Sequence, residues 1–293
     1  MTVSLPPLAE RALLADLCRE AAAQEGVQPQ LIEKDYYLTR LLWALGQHFR
    51  NGLLLKGGTL LSKVDLGFYR MSEDADFVLP GSPARASLPN ARRMQSVRDA
   101  LREIVPVVGL SAMFPAGELF EKATHGLWQL EYRSEFGPQG IKLEVTIRPL
   151  LRDPRKVRLR QLLQDSLAGD SGAAFCWALD AGEARAEKVR AASTRDAIRD
   201  YYDLEQLLDE GADLASSKFI GLVDAKLAEL RAGPLREQAR AFGMTEVRRR
   251  GLDASVSREL ASALRGDAPT FDLAKMLARF DKLWRKRIPR GAP

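Results

Sequence analysis

The chain has 293 residues, enough for one large domain or two medium ones, and 46% of them are apolar, sufficient for a packed core. No apolar run approaches the roughly 18 residues of a membrane span, and residues 1–7 lack a basic region followed by an apolar stretch, so a cytoplasmic protein without membrane contacts is expected. Two cysteines and two histidines exclude a disulfide framework and a multi-histidine zinc site, and the net charge of +5 is modest. Residues 8–23 and 28–49 carry amphipathic helical periodicity and precede the first strand candidate, 52–55. A glycine pair follows, then a short helical pattern over 59–64 and a second strand candidate over 74–79. The Pro80-Gly81-Ser82-Pro83 run breaks the chain before a helix over 91–104. Residues 126–132 and 140–148 read as an antiparallel hairpin, and Pro149 and Pro154 are expected to close the sheet region. Beyond Gly182 the pattern is mostly helical, clearest over 184–192, 195–208, 214–231 and 270–285. The basic excess is C-terminal: residues 231–293 hold fifteen Arg or Lys against seven Asp or Glu, a difference of +8 that leaves about −3 for the rest. Such a face suits a phosphate-rich partner, RNA or DNA, or is an ordinary solvated helical surface.

The chemistry concentrates in Lys56-Gly57-Gly58-Thr59 and Arg70-Met71-Ser72-Glu73-Asp74-Ala75-Asp76-Phe77. Glycines at a strand-to-helix turn let the backbone approach an anion, and the amides of the helix N-terminus point at it with a favourable dipole. Gly57, Gly58 and Thr59 are therefore candidate phosphate contacts, with Lys63 on the following helix. Asp74 and Asp76 alternate with Ala75 and Phe77, so a strand projects both carboxylates from one face. Paired carboxylates beside a phosphate site suit Mg2+, which takes oxygen ligands and commonly binds with substrate phosphates. Arg70 and Ser72 flank the carboxylates and either position substrate or stabilise the turn. Within Lys142-Leu143-Glu144-Val145-Thr146-Ile147-Arg148 the even positions are polar, which turns Glu144 away from the core, onto an active-site face or onto solvent at a sheet edge.

In combination these stretches resemble the nucleotidyltransferases built like DNA polymerase beta. The flanking residues resemble the AbiEii family more narrowly, the toxin component of type IV toxin-antitoxin systems, a group that includes the mycobacterial MenT toxins. The likeness runs in chain order through Glu33-Lys34-Asp35-Tyr36-Tyr37, residues 56–63, residues 70–77, Lys142-Leu143-Glu144-Val145, and Glu187-Lys188 with Arg199-Asp200-Tyr201-Tyr202-Asp203-Leu204. It implies an α+β fold: a polymerase beta-like core with a mixed sheet flanked by helices, plus a helical C-terminal domain. The implied divisions are 1–50 for N-terminal helices packing on the core, 51–180 for the core and 181–293 for the helical domain. It also implies Asp74, Asp76 and Glu144 as ligands of two Mg2+ ions, with Glu144 binding metal or acting as base. Lys188 and Asp203 match a lysine and an aspartate of the family's active site. Glu33, Lys34 and Asp35 are expected to fix their helix against the core. The implied activity is transfer of a nucleoside monophosphate from an NTP to RNA, at a tRNA 3′ end, by a toxin or phage-defence protein. Its partner would be a cognate AbiEi-like antitoxin or a transcript-linked neighbour. Transfer to a protein or small molecule, and nucleotide or RNA binding without turnover, are the alternatives. A P-loop is disfavoured because the lysine precedes the glycine pair, and His48 and His125 sit where structural histidines are common.

Overall fold

The computed structural model describes residues 3–82, 88–112, 118–122, 124–163, 174–229, 242, 244–264 and 270–284. The chain divides into two units, Met1–Asp180 with Arg265–Asp267, and Ala181–Leu264 with Ala268–Pro293.

The first unit is mixed α+β. Helices α1 (Arg11–Glu25) and α2 (Pro29–Phe49) precede strand β1 (Leu54–Leu55), and the glycine turn opens the short α3 (Gly57–Leu60). Then come β2 (Ala75–Pro80), α4 (Leu88–Val107), β3 (Glu118–Lys122), β4 (His125–Tyr132), β5 (Gln139–Arg148), β6 (Arg155–Arg158) and β7 (Phe175–Ala178). The seven strands form one sheet in the order β3-β4-β5-β2-β1-β7-β6. Pairing is parallel for β2 with β5 and for β1 with β7, and antiparallel elsewhere. Period-two patterning explains the faces: Ile141, Leu143, Val145 and Ile147 on β5 are buried, as are Trp128 and Leu130 on β4, while the residues between them are half-exposed. Helices α2 and α4 pack against the sheet, and α1 packs on α2. Close approach of α2 to β7 depends on Gly46, where a Cβ would lie 2.7 Å from Cys176 Cα and 2.8 Å from the Phe175 carbonyl oxygen.

The expected hairpin is β4 with β5. The sheet does not close at Pro149 and Pro154, because β6 and β7 extend it on the far side of β1. Both strands are four residues long, and Arg155-Lys156-Val157-Arg158 has one apolar side chain, so neither carries the alternation that betrays a strand. No helix among the described residues is long and apolar enough to cross a membrane.

The described part of the second unit is helical: α5 (Ala181–Thr194), α6 (Ile198–Asp209), α7 (Ser217–Ala228), α8 (Glu246–Ser255) and α9 (Leu273–Trp284). Its core gathers Tyr201, Phe242, Phe280 and Trp284, with the Phe242 and Trp284 rings stacked at 5.2 Å and the Trp284 indole donating to the Leu214 carbonyl at 2.8 Å. Lys226 is fully buried among Glu183, Glu187 and Glu229, at 2.6, 3.2 and 3.3 Å, which joins α7 to α5. The basic run Arg248-Arg249-Arg250 is engaged within this unit. Arg248 Nη2 donates to the Ala192 and Arg195 carbonyls at 2.8 Å, closing the end of α5, while Arg249 and Arg250 pair with Glu246 at 2.9 Å. This run is thus helix capping and surface pairing. The other run, Arg285-Lys286-Arg287, lies outside the described residues, as do the ends of the helices expected over 214–231 and 270–285.

Candidate active site

The glycine turn is built by β1, α3 and β2 together. The Lys56 amide donates to the Asp76 carbonyl at 2.9 Å, which extends the β1–β2 pairing up to the turn. Gly57 then adopts φ +76°, a left-handed conformation that favours glycine, and a Cβ there would stand 2.7 Å from Asp76 Oδ2. The Asp76 carboxylate therefore rests against the turn. The first amides of a helix have no acceptor within it, so Gly57 and Gly58 offer N–H groups to an anion beside that carboxylate.

Thr59, Arg70 and Ser72 hold the turn in shape. The Thr59 hydroxyl is buried, donates to the Asp74 carbonyl and lies 2.8 Å from Ser72 Oγ. Arg70 is 3% exposed, its guanidinium lies against Gly58, and Nη1 donates to the Met71 carbonyl at 2.9 Å. The Arg70 carbonyl accepts from Ser62 Oγ at 2.7 Å. The Thr59 side chain is consequently a clamp between the turn and β2 rather than a phosphate ligand.

Lys63 corrects the sequence reading. One turn of π geometry over Leu61–Asp65, closed by the Leu66 amide bonding to the Leu61 carbonyl at 2.8 Å, follows α3 and carries Lys63 inward. Its ammonium is 1% exposed, is ion-paired with Asp35 of α2 and sits 5.2 Å from the Phe68 ring centroid. Asp35 Oδ2 also accepts from the Leu162 amide at 3.1 Å. Burial lowers the Lys63 pKa and Asp35 opposes that. Lys63 is thus a buried tie from the glycine helix to α2, its ammonium held by Asp35. Lys34 pairs with Glu73 at 2.6 Å, and Glu33 accepts from Ser134, so the Glu33-Lys34-Asp35 run fixes α2 against the sheet unit as expected.

The three carboxylates occupy one face. Asp76 and Glu144 are direct register partners in the parallel β2–β5 ladder, and Asp74 lies two positions earlier on the same face. Strand β5 is flanked by β2 and β4, so Glu144 is not at a sheet edge. Basic side chains flank two of the carboxylates: Lys142 Nζ is 3.5 Å from Asp74 Oδ2, and His125 Nε2 is 3.4 Å from Glu144 Oε1. Burial, with the Asp76 charge nearby, raises the Asp74 pKa while Lys142 opposes the rise. Carboxylate oxygens on this face are the donors a hard cation takes. Among the described residues, however, no three acidic, histidine or cysteine side chains converge as a ready metal cage. Asp74 inclines to Lys142 and Glu144 to His125.

Lys188 and Asp203 meet in the second unit, where α5 faces α6. Lys188 Nζ lies 2.7 Å from Asp203 Oδ2 and 2.9 Å from Asp200 Oδ1, with Lys188 5% exposed and Asp203 fully buried. Arg195 binds Asp200 in turn at 2.6 and 2.9 Å. Burial would raise the Asp200 pKa, but Lys188 and Arg195 outweigh it and hold the carboxyl below its ordinary range. The structure thus groups the glycine turn, Arg70, Ser72 and the three carboxylates in one unit, and Lys188 with Asp203 in the other.

Sequence reasoning missed Asp200, Lys142 and His125 as members of these clusters. The i, i+3 spacing of Asp200 and Asp203 marks one helix face, and His125 pairs with Thr146 one step along the face from Glu144. His125, which the sequence places where structural histidines are common, lies beside Glu144.

Comparison with known proteins gives the family and the fold. A family model described as nucleotidyl transferase AbiEii toxin, type IV TA system, matches residues 40–286. The structure is similar to MenT4, a nucleotidyltransferase toxin from Mycobacterium tuberculosis, with a TM-score of 0.64 and 21% identity over 94% of this chain and 89% of that one. It is also similar to JHP933 from Helicobacter pylori, with a TM-score of 0.48 and 14% identity over 89% of this chain and 92% of that one. No curated protein sequence matches the chain.

Proposed function

The chain belongs to the AbiEii nucleotidyltransferase toxins of type IV toxin-antitoxin systems, and from that premise we propose that it moves a nucleoside monophosphate from an NTP to the 3′ end of an RNA, a tRNA in the first instance. The family implies an NTP substrate and an antitoxin partner. The observation that carries the proposal is the pairing of Asp76 with Glu144 across adjacent parallel strands, with the Asp76 carboxylate against the left-handed Gly57. This puts acidic oxygens beside amides that can take a triphosphate.

In this reading the amides of Gly57 and Gly58 bind the β- and γ-phosphates, and Arg70 and Ser72 keep the turn open for them. Asp74 and Asp76 would hold Mg2+, with Glu144 reaching a second ion or acting as base; the metal would supply Lewis-acid polarisation of the phosphate and a stabilised attacking oxygen. The acceptor 3′-oxygen attacks the α-phosphorus, the bond to the bridging oxygen breaks and pyrophosphate leaves. The hydroxyl proton passes to Glu144 or to water, with His125 beside Glu144. Lys142 opposes the rise that burial gives the Asp74 pKa. Lys188 and Asp203 enter by their place in the family pattern, with Lys188 directed to the triphosphate and Asp203 orienting it.

The test incubates purified protein with Mg2+, each labelled NTP and total tRNA, beside Asp76→Ala. Label on RNA that disappears in the variant supports the proposal. Label on protein or on a small molecule redirects it to another acceptor, and nucleotide binding without any transfer makes the chain a binding module. Growth of cells expressing wild type or Asp74→Ala, with and without the neighbouring gene, tests toxicity; equal growth of the two would sink the toxin role.

A further inference from the structure

A cleft of about 540 Å3 opens in the first unit, lined among others by Trp43, His48, Arg50, Lys156, Phe175 and Trp177. It lies at the end of β1 opposite the glycine turn. Arg50 precedes β1, and Phe175 begins β7, whose last residue, Ala178, is the parallel partner of Leu55. Lys156 is opposite Trp177 and Arg158 opposite Phe175 in the β6–β7 ladder, so edge-strand cations alternate beside aromatic rings on one face. Lys156 Nζ already sits 5.0 Å from the Phe175 ring centroid, and Phe175 is 37% exposed. Among the described residues that line it there is no Asp or Glu. Arg50 adopts φ 50° and ψ −130°, an uncommon conformation for a residue with a side chain and the kind of local strain that gathers at binding sites.

Two half-buried tryptophans, the exposed Phe175 ring and the cations Arg50 and Lys156, with no carboxylate among the described lining residues, select a ligand with a flat π system and negative charge. We propose that this cleft binds a nucleotide unit, its base against Trp43 and Trp177 and its phosphate against Arg50 and Lys156, at a site separate from the glycine turn. Two sources share that chemistry: an unpaired nucleotide of an RNA strand and a free mononucleotide. The inference goes beyond the transfer reaction and does not depend on which acceptor that reaction uses.

The experiment uses the full chain without divalent metal or NTP, so its outcome is independent of transfer. Of the four tryptophans, Trp128 and Trp284 are 0% and 6% exposed, so quenching of indole fluorescence by a stacked base reports on Trp43 and Trp177. Titrants are adenosine monophosphate, a single-stranded adenylate pentamer and an RNA duplex of equal length. Quenching by the pentamer alone identifies a strand anchor, and quenching by both single-stranded ligands identifies a site for nucleotide units from either source. Trp177→Leu and the double variant Arg50→Gln with Lys156→Gln should each weaken binding about tenfold or more. Arg50 and Lys156 are exposed, so the double variant remains informative where Trp177→Leu fails to fold. Absence of quenching by both adenosine monophosphate and the pentamer, unchanged affinity in the double variant, or equal binding of the duplex would each overturn the assignment.

Discussion

Asp76 is in contact with both halves of the proposed chemistry, its backbone carbonyl taking the Lys56 amide and its carboxylate resting on Gly57. Asp76→Ala should therefore lower kcat by about a thousandfold or more, the scale of several kcal/mol of metal-assisted stabilisation, while leaving the thermal midpoint nearly unchanged. Gly57→Ala combines a left-handed strain of roughly 1–2 kcal/mol with collision against the Asp76 carboxylate. It should lose activity and some stability together, measured by transfer rate and denaturant midpoint. Asp35→Asn leaves the buried Lys63 without its counter-charge, a change expected to cost about 3–5 kcal/mol, whereas Lys63→Met with Asp35→Leu should recover much of it in a double-mutant cycle. At this scale the strand carboxylates were legible, because a period of two fixes their face without knowledge of the fold. The direction of Lys63 was not, because it depends on the π turn, and a helical lysine next to a phosphate turn carries no mark of the Asp35 that captures it.

Between elements, α5 is joined to α6 where Lys188 binds Asp200 and Asp203 out of water. Because the Asp200 carboxyl is held below its ordinary value of 3.8, it contributes stability that is fully present above that pH and is lost as pH falls through its folded value. Asp200→Asn should then cost about 3 kcal/mol at pH 7, the lower end for breaking a buried pair because Lys188 keeps Asp203. The gap between wild type and variant should narrow progressively as pH falls below 3.8 in chemical denaturation; a gap independent of pH would contradict the ion-pair account. Gly46→Val would push α2 off β7, with a cost of roughly 1–3 kcal/mol from overpacking, read as a lowered thermal midpoint. The strong periodicities of α2 and β5 made those elements readable. Strands β6 and β7 were invisible because four-residue strands contain too few alternations, and β7 owes its place in the sheet to long-range pairing with β1.

For the molecule as a whole, two units predict two unfolding transitions, and the Asp200→Asn shift should appear in one of them while the Asp35→Asn shift appears in the other. A single transition moved equally by both variants would contradict that independence. The mixed sheet and the helical second unit followed from hydrophobic period and from the ordered motifs, whereas strand order did not, since it is set by pairings that connect distant parts of the chain. The pairing of Asp76 with Glu144 joins residues 68 positions apart in sequence. A ribosome that has released Asp76 has not yet made its partner strand, and the ladder cannot close until β5 has emerged. Nascent chains stopped short of Gln139 should therefore be harmless to the cell that makes them, so translation itself sets the earliest moment at which an antitoxin is needed.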